Sequence, residues 1–408
     1  MITKQNCSIC KAKSLYEVIN LGSSPPANNF SDSKNDAYKS YPLQVDFCGN
    51  CKNIQLKHCL DKEDLYSNYT YSTPNAKSLT DHYKKILQKI NSFSKTGEDK
   101  KCLEVGSNNG NLLLFLKKHF SKVIGIDPAR NIVKQAEKNG ITTINDFLSE
   151  KSSKKIYDEH GKFDLVIARH MFAHNAFPLD LLENIDKLVK NDGIIFIENA
   201  YAISTFENGE FDQIYHEHMF YYSVLSFENI LKKFDYKLVD LLFSPIHGGT
   251  VSFIASKSNK FVPASIIKET KIKEKKFFKN NRGFLDFKKI IEKNRSFVLD
   301  KINSGIDQEK KVIAYGAPAK AFTLFSYFGL DETKIKYCID TLEYKAYKFF
   351  PDTGIQILPE KELQNIDYDL VLVCAWNYKE EILKKSNKIF KKNTELIFPI
   401  PLVEVVRV

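Results

Sequence analysis

Lys101-Cys102-Leu103-Glu104-Val105-Gly106-Ser107-Asn108-Asn109-Gly110 is the stretch that decides the fold. A short apolar run over Lys101 to Val105 reads as a strand, and Gly110 to His119 continues with leucines at helical spacing. A strand that enters a glycine-rich turn and then a helix is the unit of an open parallel sheet, which binds nucleotides beyond the strand's carboxyl end. The turn reads Glu-x-Gly-x-x-x-Gly, not the dinucleotide form Gly-x-Gly-x-x-Gly. Its glycines let the backbone approach an adenosyl group that carries no phosphate.

The same alternation extends in both directions. A helix is expected over Lys77 to Phe93, and after the opening unit come strands Lys122 to Ile126, Thr142 to Ile144, Leu165 to Ala168 and Gly193 to Glu198. Helices Ala129 to Asn139, Phe147 to Lys154 and Leu179 to Leu188 separate them. Beyond a helix at Val224 to Phe234, Lys237 to Phe243 and Thr250 to Ala255 read as an antiparallel pair closing an otherwise parallel sheet. One Lys-rich helical stretch, Pro263 to Asn303, leads to a second alternating unit with strands Lys311 to Tyr315, Ile335 to Asp340, Leu370 to Cys374 and Glu395 to Phe398. The class is therefore α/β. The expected division is a small N-terminal unit over 1–65, a Rossmann-like domain over 66–300 and a C-terminal Rossmann-like domain over 301–408.

Bulk properties agree with several domains, since 408 residues exceed the roughly 100–200 of one domain. No run of about 18 apolar residues occurs, and the N-terminus lacks a charged-then-apolar signal pattern. A cytoplasmic protein without a membrane partner is expected. The net charge of +10 comes from lysines on helical faces. No basic module interleaved with stacking aromatics is present, so nucleic acid is not an expected partner; an anionic small molecule is compatible.

Cys7-Ser8-Ile9-Cys10 and Cys48-Gly49-Asn50-Cys51 form two chelating pairs, the spacing at which four thiolates hold a structural Zn²⁺. Free thiols or a disulfide are the competing readings. Cys59, Cys102, Cys338 and Cys374 have no partner at ligand spacing and read as core residues.

The cofactor residues follow from strand ends. Glu104, Gly106, Ser107, Asn108, Asn109 and Gly110 form the loop. Asp127, followed by Pro128, offers a carboxylate to two ribose hydroxyls, and Asn145, Asp146 and Phe147 offer an amide and an apolar face to adenine. With Arg169 after the fourth strand, these residues favour S-adenosylmethionine over NAD. Arg169, His170 and His174 follow that strand, and Tyr215-His216-Glu217-His218 follows the fifth by a loop. Histidine suits proton abstraction beside a carbonyl near neutrality, and tyrosine or histidine can donate to the enolate oxygen. His216 and His218 also stand at a chelating spacing, and a hydrogen-bonded structural cluster is a third reading.

The chain resembles the bacterial sugar C-methyltransferases that act on nucleotide-linked 4-keto-deoxysugars. The resemblance covers nearly the whole chain and rests on the two Cys-x-x-Cys pairs, Leu21-Gly22 with Pro26-Ala27-Asn28, Glu104 to Gly110, Tyr215 to His218, His247-Gly248-Gly249, Gly316-Ala317-Pro318-Ala319-Lys320 and Ala375-Trp376-Asn377. It implies that a base removes the proton beside the ketone and that the enolate carbon, C-3, takes the methyl of S-adenosylmethionine. On that resemblance His218 is the base, Tyr215 and Glu217 orient the sugar or stabilise the enolate, His174 is a further pocket histidine, and Tyr69 or Tyr71 contributes a tyrosine. His247, Gly248, Tyr315 and Lys320 are candidate substrate contacts. The implied partner is a nucleotide-diphosphosugar, and a monomer is expected. The chain departs from the pattern at Asn109, where aspartate is expected, at Arg169-His170 in place of an amide-like pair, and at Thr250-Val251-Ser252 where a basic residue often lies.

Two other chemistries compete. One is O- or N-methylation of a sugar or small molecule, with metal assistance through His216 and His218. The other is a zinc-ribbon RNA methyltransferase, against which Ala168-Arg169-His170-Met171-Phe172 stands where an Asn-Pro-Pro-aromatic motif belongs.

Overall fold

The computed structural model describes residues 1–61, 65, 73, 77–93 and 97–408. Strands are numbered along the chain: β1 Ile2–Thr3, β2 Tyr16–Ser24, β3 Tyr41–Phe47, β4 Ile54–Leu56, β5 His58–Cys59, β6 Gly97–Val105, β7 Phe120–Ile126, β8 Thr143–Ile144, β9 Phe163–Arg169 and β10 Val189–Ala200. They continue with β11 Phe220–Tyr221, β12 Lys237–Ser244, β13 Thr250–Ser256, β14 Val312–Tyr315, β15 Tyr337–Asp340, β16 Gln356–Pro359, β17 Leu370–Val373, β18 Glu395–Phe398 and β19 Glu404–Arg407.

The central sheet has seven strands in the order β12-β13-β10-β9-β6-β7-β8. Strands β6 to β10 within it run parallel, and β13 is antiparallel to both β10 and β12. Both faces are covered, which is why β9 is apolar without a break from Leu165 to Ala168. Alternate residues serve opposite faces: Cys102, Leu165, Ile167 and Phe196 pack with Leu79, Ile86 and Ile90 of the helix Lys77–Asn91, whereas Leu103, Val166 and Ile197 join the larger core on the other side.

A second sheet, β16-β15-β14-β17-β18-β19, is parallel except for β19. Strands β16 and β19 were not expected from the sequence, being short and, for β19, not fully buried. A third sheet joins β2, β3 and β4 to β11, which comes from far downstream. Phe220 pairs with Gln55 and Tyr221 with Ile54, so the segment just after Tyr215 to His218 is stitched into the cysteine-bearing unit.

The expected helical stretch from Pro263 to Asn303 consists of two helices, Ser265–Phe278 and Arg282–Asp307. The break lies at Asn280 and Asn281, whose φ of 54° and 58° are in the left-handed region that asparagine tolerates better than most residues. Phe277 and Phe278 fold back on Phe284 there, with ring centroids 5.4 and 5.9 Å away. The helix expected at Phe147 to Lys154 spans Glu150–His160 instead, because Ser149 and Ser152 form a capping box that fixes its start. Cys59, Cys102, Cys338 and Cys374 are fully buried, as core residues should be.

Candidate active site

The carboxyl ends of the seven-stranded and six-stranded sheets open on one cavity of about 1270 Å³. Its first wall is the loop after β6. Gly106 has φ 69°, and a Cβ there would stand 2.7 Å from Met171 Cγ, so only glycine fits. Asp127 accepts backbone N–H bonds from Asn108 and Ala129, both at 2.9 Å. The carboxylate expected to meet ribose thus first clamps the loop, and it also lines the cavity. Asn109, where aspartate was expected, donates its amide N–H to the Thr73 carbonyl at 2.8 Å, which an aspartate could not do.

Ser107, Asn108, Pro128, Asp146, Phe147 and Leu148 also face the cavity, the last pair giving an apolar surface. Gly110 and Asn145 do not line it. Asn145 instead donates to the Asp127 and Pro128 carbonyls at 3.1 and 2.9 Å, holding the adenine-side loop from behind. A phosphate-free loop, a carboxylate after the second strand and an apolar patch after the third fit S-adenosylmethionine.

Behind this wall lies a carboxylate that the sequence reading missed. Glu198, at the end of β10, is fully buried. It accepts from His82 Nε2 at 2.7 Å, Ser252 Oγ at 2.8 Å and Arg169 Nε at 3.2 Å, with His170 Nε2 at 3.3 Å. Burial works against its charge, but the histidine hydrogen bonds and the guanidinium hold its carboxyl well below the usual range. Arg169 reaches on toward Glu104, 3.9 Å away, which burial pushes up to about 8 against the pull of that same arginine. His82 is therefore the buried partner of this hub. An apolar strand ending in a lone Glu was the available signal.

The proton-handling loop separates its members. His218 places Nδ1 2.8 Å from the Gln213 carbonyl and Nε2 2.7 Å from the Tyr215 hydroxyl. A carbonyl only accepts, so Nδ1 carries the hydrogen and the bare Nε2 accepts from Tyr215 O–H. Burial pulls His218 down to about 4 and pushes Glu217 up to about 7, the latter opposed by a hydrogen bond from Asn28. His174 Nδ1 lies 4.0 Å from Glu217, its ring centroid 5.0 Å from that of His218, and burial together with the His218 and His170 rings drives it well below the usual imidazole range.

His216 turns the other way, with Nε2 3.2 Å from the Tyr41 carbonyl. The two histidines therefore do not converge, and the chelating reading of His-x-His fails. Among the described residues the one grouping of metal-ligand type is Cys7, Cys10, Cys48 and Cys51.

Residues from outside the methyltransferase sheet complete the cavity: Asn28, Tyr315, Lys320, Lys345, Asn377 and Lys385 line it. Asn28 has φ 63°, the kind of position where asparagine carries a signal. His247 lines the cavity too, whereas Gly248 does not; a Cβ on Gly248 would stand 2.6 Å from Gln213 Nε2 and Glu210 Oε2. Tyr69 and Tyr71 lie outside the described residues.

The four cysteine sulfurs lie within 4.8 Å of one another, with Cys7 to Cys51 at 3.4 Å and Cys10 to Cys48 at 3.5 Å. Tetrahedral Zn–S bonds of about 2.3 Å place sulfurs about 3.8 Å apart, so the donor set fits zinc. Both pairs sit in matching knuckles: Lys11 N donates to the Cys7 carbonyl and Lys52 N to the Cys48 carbonyl, and both lysines have φ 63°.

Fold, loop and cavity together define a class I S-adenosylmethionine-dependent methyltransferase. Family models fall along the chain in order: "Putative zinc binding domain" over residues 7–66, "Methyltransferase domain" over 79–241 and "C-methyltransferase C-terminal domain" over 245–401. The C-methyltransferase NovU of Streptomyces niveus is 27% identical over 98% of this chain and 96% of its own length. The chain belongs to this family of zinc-bearing C-methyltransferases, with S-adenosylmethionine as methyl donor and a small molecule as acceptor. A ubiquinone biosynthesis O-methyltransferase of Actinobacillus pleuropneumoniae is 33% identical over 24% of this chain and 44% of its own. Among solved structures, magnesium protoporphyrin IX methyltransferase of Synechocystis PCC 6803 with bound SAH covers 47% of this chain and 91% of its own at 12% identity and TM-score 0.38.

Proposed function

We propose that the chain methylates C-3, the carbon beside the ketone, of a nucleotide-diphospho-4-keto-deoxysugar. The observation that carries this reading is the neutral His218 Nε2, bare of hydrogen and aimed at the Tyr215 hydroxyl in a cavity shared with the methyl-donor loop. O-methylation needs only a base toward a hydroxyl, but the family models favour carbon. When bound, S-adenosylmethionine supplies an electrophilic methyl group, held by the loop after β6, Asp127 and the Phe147–Leu148 face.

His218 Nε2 accepts the carbon-bound proton, and the electron pair of that C–H bond passes into the ketone as an enolate. Tyr215 O–H, freed from Nε2, donates to the enolate oxygen. Glu217, protonated below about 7, is a second donor to the sugar. A positioned base contributes about 10²–10⁴ in rate, and each oxyanion donor roughly 3 kcal/mol. Gln213 holds the imidazole in the accepting tautomer. At the far end Lys320, Lys345 and Lys385 offer positive charge to a diphosphate.

The test is product analysis with ¹³C-methyl-labelled cofactor and a panel of nucleotide-linked 4-ketosugars. A carbon-bound methyl at C-3 is expected. A methyl on oxygen, or none with any sugar while other ketones react, contradicts the substrate reading.

A further inference from the structure

Two motifs in the C-terminal unit, Gly316 to Lys320 and Ala375 to Asn377, are only partly used by the chemistry above. Both meet the short segment that carries the hydrogen-bond acceptor of His218. Trp376 Nε1 donates to Asp212 Oδ2 at 2.6 Å, and Lys320 Nζ lies 3.8 Å from the same oxygen and 3.5 Å over the centre of the Trp376 ring. Asp212 is fully buried. On the other side of Gln213, Thr323 Oγ1 donates to the Ile214 carbonyl at 2.8 Å. The ring of Phe211 packs 5.2 Å from Tyr327 and 5.1 Å from Phe328, on the helix that begins at Ala321.

Residues 211, 212 and 214 are thus pinned by the C-terminal unit, and residue 213 between them turns its carbonyl to His218 Nδ1. The Gln213 side chain is tied as well, donating to Glu210 at 2.7 Å and to the His247 carbonyl at 3.0 Å. A carbonyl held from both sides fixes the ring it accepts from, just as outer partners fix a ligating histidine's tautomer.

The geometry points to Trp376 and Thr323 as positioning residues, through which the C-terminal unit sets the orientation and tautomer of the His218 ring in another sheet's active site. Neither residue lines the cavity. This goes beyond the proposed function, which treats the C-terminal unit as a source of charge, and it rests on that reading only in calling His218 a base.

The experiment is two-bond ¹H–¹⁵N spectroscopy of the full chain labelled at the histidine ring nitrogens, with His218 assigned by its loss in a His218→Gln variant. The natural chain should show His218 as a single Nδ1–H tautomer. Trp376→Phe and Thr323→Val should each mix the tautomers, and methyl-transfer kcat should fall roughly 10- to 100-fold with the KM for S-adenosylmethionine unchanged. Asp212→Asn keeps an oxygen for the indole N–H and should keep the single tautomer. Thr323→Val is isosteric and decides the matter if Trp376→Phe does not fold. A single tautomer retained in folded Thr323→Val and Trp376→Phe, or lost in folded Asp212→Asn, overturns the inference. Tautomer mixing without methylation of any ketosugar leaves positioning intact and removes the substrate reading.

Discussion

At the residue scale, burial decides how the proton-handling loop works. His218 and Glu217 are adjacent in sequence, the first part-buried and the second buried, yet desolvation moves them in opposite senses, down to about 4 and up to about 7. Near neutrality the imidazole is unprotonated, though a weaker base than a free imidazole, while the carboxyl still holds much of its proton. Glu217 also links to stability. Its folded value lies above the ordinary 4.5, so its contribution is complete below pH 4.5 and is lost as pH rises through about 7. The loss amounts to about 3 kcal/mol at most. A Glu217→Gln variant should therefore lose less stability between pH 5 and pH 8 than the natural chain, measured by denaturant unfolding at both; an equal loss contradicts the assignment. The types of these residues were legible in the sequence, but their partners were not. His216, read as a possible chelating partner of His218, faces the Tyr41 carbonyl in the cysteine-bearing unit instead, across a sheet contact that no local pattern shows. Glu198 was invisible as a hub because its donors come from positions 82, 169, 170 and 252.

At the scale of elements, the loop after β6 was readable because glycine is required there twice over, by positive φ and by the approach of Met171. Gly106→Ala forces a Cβ into that space and an unfavourable φ, at about 1–2 kcal/mol for the backbone alone. Affinity for S-adenosylmethionine should fall at least about tenfold in calorimetry; unchanged affinity contradicts the loop's role. Two of the helix expectations shifted where a local device intervened, the Ser149 cap and the Asn280-Asn281 break, and the short helix Ala202–Glu207 was not expected at all. The pairing of β11 with β4 was beyond any local pattern. It carries a prediction: although no cysteine lines the cavity, Cys48→Ser should lower zinc content and unfolding temperature and also reduce methyl transfer. Full activity in a zinc-free variant contradicts the coupling.

At the scale of the molecule, one cavity takes residues from the cysteine-bearing unit, the seven-stranded sheet and the six-stranded sheet. The two parallel sheets even repeat a detail. Asp127 accepts from Asn108 N and Ala129 N, and Asp340 accepts from Ala317 N and Leu342 N, each carboxylate clamping the preceding strand's loop. Alternation of strand and helix announced both sheets, but nothing in it showed that their carboxyl ends face each other. The wall of the second sheet carries the charge, so Lys385→Ala should raise the KM for a nucleotide ketosugar about tenfold while leaving S-adenosylmethionine binding unchanged. Equal weakening of both ligands contradicts the division of the cavity.

The central claim is that His218 makes an enolate before carbon methylation. The direct measurement is mass spectrometry of a nucleotide-linked 4-keto-deoxysugar incubated in deuterium oxide with the protein and S-adenosylhomocysteine, which cannot donate a methyl. Deuterium should enter beside the ketone with the natural chain and not with His218→Gln. Exchange that persists in His218→Gln, or methyl transfer to carbon by a natural chain that exchanges no proton, contradicts it.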